Sequence, residues 1–246
     1  KDLEDQLVRK DQIEQDIRSI INGNKDLLRL VYQPIYETKS KGLVYFEALA
    51  RMQSPSLGFI SPVEFISIAE QRHLIIPLGL QILSLACDFI KTIRLMGYDH
   101  IRIAINVSTL QLLDHSFIPT FMEMLEVKDV PIHTIELELT ESVFAQDLHI
   151  VDTQLKQLRD LGMRLAIDDF GTGYSSLSRL EYLDIDMLKL DKQFVDKLTD
   201  RKNKNLAQDI ISMAHHINKE VVAEGVETED QYQYLEKMGC DFIQGY

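Results

Sequence analysis

Eight polar residues close apolar runs that recur along the chain: Glu47, Asn106, Glu138, Asp168 with Asp169, Lys189, Glu224 and Gln244. Flanks such as Ile103-Ala104-Ile105-Asn106 and Leu165-Ala166-Ile167-Asp168 are those of buried strands. One acid at a strand end is ordinarily a solvated turn or a helix cap. A succession of them, one strand after another, is hard to attribute to capping. Carboxylates brought close together repel unless they are protonated or bound to a cation. Several carboxylates and an amide oxygen form a hard-oxygen donor set suited to Mg²⁺ or Mn²⁺. Their number exceeds what a single ion needs, which favours a two-metal site. The histidines add nothing to this set: His215-His216 falls within a helical stretch, and His73, His115 and His133 fall in loops.

These residues need a scaffold that brings strand ends together. The spacing predicts an amphipathic helix over residues 1–22, ended by Asn22-Gly23-Asn24. Residues 30–36 and 44–49 read as strands joined through Lys39-Ser40-Lys41-Gly42, a hairpin and therefore antiparallel. Helices are expected over 62–71 and 75–96. A cadence of strand and helix then runs through strands at 101–106, 135–139, 164–168, 187–190, 220–224 and 241–244. The helices between them are expected at 117–125, 148–161, 177–180, 206–217 and 230–238. Such alternation gives a mainly parallel sheet. An open sheet would splay the polar strand ends along an edge. Closing it into a barrel opens them onto one face, where barrel active sites lie. The expected fold class is therefore an α/β barrel.

Composition narrows the chemistry. The 246 residues include 26 Lys+Arg and 39 Asp+Glu, a formal net charge of −13, with 45% hydrophobic and 26% charged residues. That is globular composition, neither disordered nor fibrous. A sequence pI near 4.9 argues against binding a DNA or RNA polymer through Lys and Arg. A phosphate-ester partner would need positive charge from elsewhere, and divalent metal is the obvious source. Two cysteines, Cys87 and Cys240, match no disulfide framework or metal-ligand spacing. They suit a reducing compartment, so a cytoplasmic location is expected, with membrane tethering of a longer polypeptide left open. The apolar run 74–90 is interrupted by Pro77, Gln81 and Asp88 and reads as a buried helix. The chain does not start with Met and stops at Gln244-Gly245-Tyr246, so it is read as part of a longer protein. Residues 1–27 are expected to form a linker or packing helix and 28–246 the barrel, truncated at its C-terminal end.

The loop Asp168-Asp169-Phe170-Gly171-Thr172-Gly173-Tyr174-Ser175-Ser176 lacks the third glycine of a dinucleotide-binding turn. Its two glycines after paired acids suggest a mobile flap beside a metal site. With Glu47-Ala48-Leu49 in view, the chain resembles the EAL domain family, phosphodiesterases that hydrolyse cyclic di-GMP. The resemblance runs from about Tyr32 to Tyr246. It is carried by Tyr32-Gln33-Pro34-Ile35, Glu47-Ala48-Leu49-Ala50-Arg51, Gly58-Phe59-Ile60-Ser61-Pro62, Asn106-Val107-Ser108 and Glu138-Leu139-Thr140-Glu141. Further matches are Asp168 to Ser176, Lys189-Leu190-Asp191, Glu224-Gly225-Val226-Glu227 and Gln244-Gly245-Tyr246. Ala50 and Met52 replace the bulkier residues usual there, which touches local packing only.

The resemblance implies a modified TIM (β/α)8 barrel with one antiparallel strand. It implies that Glu47, Asn106, Glu138 and Asp168 hold one metal, and that Asp168 bridges to a second held by Asp169 and Glu224. It implies Mg²⁺ or Mn²⁺ as cofactor, with Ca²⁺ inhibitory, and linear pGpG as product. Lys189 would hold the attacking water or a phosphate oxygen, and Glu224 would help as proton acceptor, with Asp169 beside them. Arg51 would pair with a phosphate oxygen, while Gln33, Gln244 and Glu227 would contact substrate. Glu141 would clamp the flap through donors such as Thr172 and Ser175; the alternative is an N-cap for the following helix. A homodimer and an upstream sensory or cyclase-like domain are implied in the same way. Other readings are a cyclic di-GMP receptor without activity, an enolase-like barrel using a lysine base, and a structural module. The first calls for lost metal ligands, the second for a lid domain ahead of the barrel.

Overall fold

Strand β1 (Leu28–Glu37) turns back on β2 (Leu43–Ser54) as an antiparallel hairpin, with Gln33 opposite Glu47. The turn carries Lys41 at φ +56°, as a tight reversal requires. This is a computed structural model, and it describes residues 2–171, 180, 182–198 and 204–245. A short strand β3 (Gly58–Ile60) extends β2 on its rim. The remaining strands are β4 (Arg102–Val107), β5 (Ile135–Thr140), β6 (Arg164–Phe170), β7 (Met187–Leu190), β8 (Glu220–Val226) and β9 (Phe242–Gly245).

Neighbours pair in the order β1-β9-β8-β7-β6-β5-β4-β2, and β1 pairs with β2 to close the ring. All neighbours are parallel except those of β1, which runs against both β2 and β9. The expected TIM-like barrel with one antiparallel strand is what forms. Helices α1 (Asp2–Ile21), α2 (Pro62–Gln71), α3 (Ile75–Leu95), α4 (Thr109–Leu112), α5 (Phe117–Lys128) and α6 (Leu148–Asp160) follow in chain order. Further helices span Lys192–Asp196, Lys204–His216 and Glu229–Lys237. The His215-His216 pair therefore sits in a last helical turn rather than mid-helix, and His215 Nε2 lies 2.8 Å from Asp241. Most of the helix expected at 177–180 and the flap residues Thr172 to Ser176 lie outside the described residues.

Strand alternation builds two cores. Outward residues such as Ile103, Ile105, Leu137, Leu165, Ile167 and Leu188 pack under the helices. Inward residues Ile35, Tyr45, Ala166, Met187, Val222 and Phe242 fill the barrel as a separate apolar layer. Two residues on from an inward position, at the C-terminal mouth of the parallel strands, come Glu47, Asp168, Lys189, Glu224 and Gln244. The period of two thus turns an apolar plug into a polar ceiling. Helix α1 buries Ile13, Ile17 and Ile20 against Phe65, Ile68 and Ala69 of α2. Arg9 pairs with Glu64 through two bonds of 2.6 and 2.8 Å, which fixes the helix in place.

Candidate metal-dependent active site

Lys189 stands at the centre of the barrel mouth, 1% exposed. Its Nζ lies 2.8 Å from Glu224, 2.9 Å from Glu138, 3.2 Å from Asp168 and 3.3 Å from Glu47. One ammonium among four carboxylates leaves an excess of negative charge. The bonding is also incomplete: among the described residues, both Glu138 oxygens, Asp168 Oδ1 and Lys189 Nζ find no well-directed hydrogen bond. Such groups are buried without directional partners and are under-satisfied.

The protonation states follow from this crowding. Burial, then the negative charges of Glu47 and Asp168, push the Glu138 carboxyl well above the ordinary carboxylate range. Burial is also the main cause that raises Glu224 to about 7 and Asp169 above its usual value, with Asp168 adding to both. Glu47 moves the other way: burial opposes its charge, but Lys189 and hydrogen bonds from Gln244 and Asn106 together hold it low. Burial alone would lower Lys189; the surrounding acids more than reverse that and keep it charged.

Oxygens of Glu47, Glu138 and Asp168 all lie within 4.8 Å of one another, and so do those of Asp168, Asp169 and Glu224. Asp168 is common to both trios. Consecutive strand residues ordinarily face opposite sides, so Asp168 and Asp169 need a local break to serve one site. The ladder of β6 with β7 shifts register between Ile167 and Phe170, and Asp169 adopts φ +55°. Aspartate tolerates that left-handed region better than most residues. A matching irregularity follows Glu224: Gly225 has φ +67°, and a Cβ there would lie 2.4 Å from Lys192 Cγ. The under-satisfied oxygens, the excess charge and the all-oxygen chemistry fit divalent metal of the hard class.

The other expected site residues fall into three groups. Asn106 donates from Nδ2 to Glu47 Oε1 at 2.9 Å, which leaves its carbonyl oxygen for the mouth. Gln33 shares the inner sheet face with Glu47. Arg51 lines a cavity of about 680 Å³ that also takes in Glu47, Asn106, Asp168 and Asp169. Gln244 is buried and donates to Glu47 Oε2 at 2.5 Å, so it orients that carboxylate. Glu227 is exposed, bonded to Lys192, and is not among the residues lining this cavity. Glu141 is buried in the turn after β5, and Asp147, not Glu141, caps α6 by accepting from His149 N at 2.9 Å. Ser108 and Glu70, which sequence reasoning did not single out, meet beside Asn106. Only the Asn106-Val107-Ser108 cluster hinted at them.

Comparison with known proteins agrees with the geometry. The chain is 36% identical over 236 residues to the cyclic di-GMP phosphodiesterase NbdA of Pseudomonas aeruginosa. The match covers 96% of this chain and 30% of NbdA, so this chain spans under a third of that relative's length. The solved EAL enzyme Bd1971, in its form with cAMP and cyclic di-GMP, superposes with a TM-score of 0.90 at 35% identity, over 100% of this chain and 66% of that one. The PaMucR phosphodiesterase in complex with c-di-GMP gives 0.87 at 33% identity, over 95% and 94% of the two chains. The EAL domain family model matches residues 14–246, and the chain belongs to that family.

Proposed function

We propose that this chain hydrolyses cyclic di-GMP to linear 5'-pGpG by opening one of its two phosphodiester bonds. The observation that carries the reading is the pair of acidic trios sharing Asp168 at the barrel mouth. Support for the substrate comes from NbdA, named a cyclic di-GMP phosphodiesterase, and from PaMucR and Bd1971, solved with that nucleotide. Two ions of Mg²⁺ or Mn²⁺ bound there would supply an activated water near neutral pH and positive charge for the phosphoryl oxygens.

Each residue has its part. Glu47, Asn106, Glu138 and Asp168 would hold one ion, and Asp168, Asp169 and Glu224 would hold the other. Glu224 would also help as proton acceptor for the attacking water. Lys189 stabilises charge on the water or a phosphoryl oxygen, and Arg51 offers a planar donor pair to a non-bridging oxygen. Gln33, Gln244 and Glu227 are assigned to the nucleotide, Gln244 in addition to orienting Glu47. Glu141 holds the loop that follows Asp169. Residues 1–27 join the barrel to an upstream sensory or cyclase-like domain, and the working unit is a cytoplasmic homodimer.

The test is turnover of cyclic di-GMP with Mg²⁺, Mn²⁺, Ca²⁺ and excess EDTA. Cleavage is expected with the first two, binding without turnover in Ca²⁺, whose larger radius relaxes the geometry, and none in EDTA. Undiminished turnover in EDTA refutes the metal reading. Tight binding without cleavage in any metal would make the chain a receptor, a reading that no missing acidic ligand favours.

A further inference from the structure

The Asn106 amide is exposed at the mouth, and the chain just beyond it is held from outside the barrel. Ser108 caps the single turn α4, with its Oγ accepting from Leu110 N at 3.3 Å. Gln111 closes the box by accepting from Ser108 N at 3.0 Å. Gln111 is buried against α3 where Gly79 leaves room: a Cβ on Gly79 would fall 2.0 Å from Gln111 Nε2. The Ser108 hydroxyl, already an acceptor, donates its one hydrogen bond to Glu70 Oε1 at the end of α2. Glu70 lines the same cavity as Asn106 and Asp168. Helix α2 is itself fixed to α1, through Arg9–Glu64 and through Arg72–Glu14 at 2.8 Å.

We propose that Glu70 is a positioning residue for the metal site, fixing the ligand amide of Asn106 through Ser108. The inference rests on the metal reading above. A ligand whose backbone is two residues from a charge-assisted bond is oriented by that bond, since such bonds are the stronger class. Residues that orient ligands typically matter tenfold to a hundredfold in metal affinity.

Calorimetric titration of Mn²⁺ into the folded protein, without substrate, tests it. Glu70→Ala and Ser108→Ala are each expected to weaken Mn²⁺ binding about tenfold or more. The double variant is expected to be no weaker than Ser108→Ala, which already removes the shared bond together with the α4 cap. Glu70→Gln keeps an acceptor oxygen and is expected to stay within about threefold of wild type, well short of that tenfold loss. Wild-type affinity in Glu70→Ala, or additive losses in the double variant, overturns the proposal. Equal loss in Glu70→Gln and Glu70→Ala also overturns it. Should Glu70→Ala fail to give a cooperative melt, Ser108→Ala alone decides in the same way. No Mn²⁺ uptake by wild type overturns the metal reading, and the positioning role with it.

Discussion

Replacing Lys189 by Met removes the charge that, among the described residues, sits against all four barrel-mouth acids, while keeping a flexible side chain of similar length. In wild type the ammonium lies within 3.3 Å of four carboxylates. Breaking a buried pair by deleting one partner costs about 3–5 kcal/mol. For a domain of this size each kcal/mol shifts Tm by about 2–4 °C, so a fall of roughly 6–20 °C is expected in EDTA at pH 8. The acids have an escape: Glu138 and Glu224 already hold raised pKa values and take up protons more readily still without Lys189. At pH 5 the fall is therefore expected to be smaller. Mn²⁺ at about a hundred times its Kd returns roughly 2.7 kcal/mol and restores much of the loss. Turnover with Mn²⁺ is expected to drop on the order of 10²–10³, as for loss of one transition-state donor. Melting curves at both pH values, with EDTA or Mn²⁺, and a pGpG assay supply the readouts. An unchanged Tm in EDTA at pH 8, or equal losses at pH 5 and 8, refutes the charge-balance reasoning.

Glu47→Ala or Asp168→Ala is expected to abolish turnover with the circular dichroism spectrum retained, because the apolar layers beneath the mouth are untouched; an unfolded Asp168→Ala would count against this. Glu141→Ala is expected to lower turnover about 10²-fold by releasing the loop after Asp169, since a shift of about 1 Å in a catalytic group has that effect. Near-normal turnover with a lowered Tm would leave it a merely structural residue. Glu224 holds its proton up to about pH 7, against an ordinary value of 4.5. The folded protein thus binds the extra proton between those values, and metal-free stability is lost as pH rises through them, by about 3 kcal/mol. The stability difference between wild type and Glu224→Gln in EDTA isolates this; a difference that stays flat from pH 4.5 to 7 contradicts it. Metal displaces that proton, so Mn²⁺ affinity is expected to rise with pH through 7.

Much of this was legible because barrel strands have a period of two and apolar flanks. Ile135-Glu136-Leu137-Glu138-Leu139 alternates as a strand does, and the closed barrel sets its apolar residues under the helices and buries Glu136 and Glu138 on the other face. Antiparallel β1 was readable from a short polar turn between two apolar runs. What escaped reading depends on tertiary contact. The Glu70–Ser108 bond joins residues 38 apart and leaves no periodic trace. The bond from the Gln244 amide to Glu47 appears only once β9 closes on β1. Likewise the bond between Lys192 and Glu227, the first residue past β8, joins residues 35 apart. The strand break that lets Asp168 and Asp169 serve one site is hidden too, since aspartate gives no sign of its left-handed φ.

The lysine explains how so acidic a mouth folds at all. Four carboxylates converging from β2, β5, β6 and β8 would not stay ionised together in a dry barrel. Lys189 keeps Glu47 ionised, while burial leaves Glu138 and Glu224 with raised pKa values. The site is therefore foldable before metal arrives, yet its directional bonds remain unmade. An anionic phosphodiester of the proposed kind would meet surplus carboxylates there, offset by Lys189 and by Arg51 on the cavity wall. Favourable binding then depends on added cation, which also displaces the protons that burial has retained. A chain with net charge −13 can recognise a phosphate ester in this way without a basic surface. The same balance makes metal affinity rise and metal-free stability fall as pH climbs through the range in which Glu224 titrates.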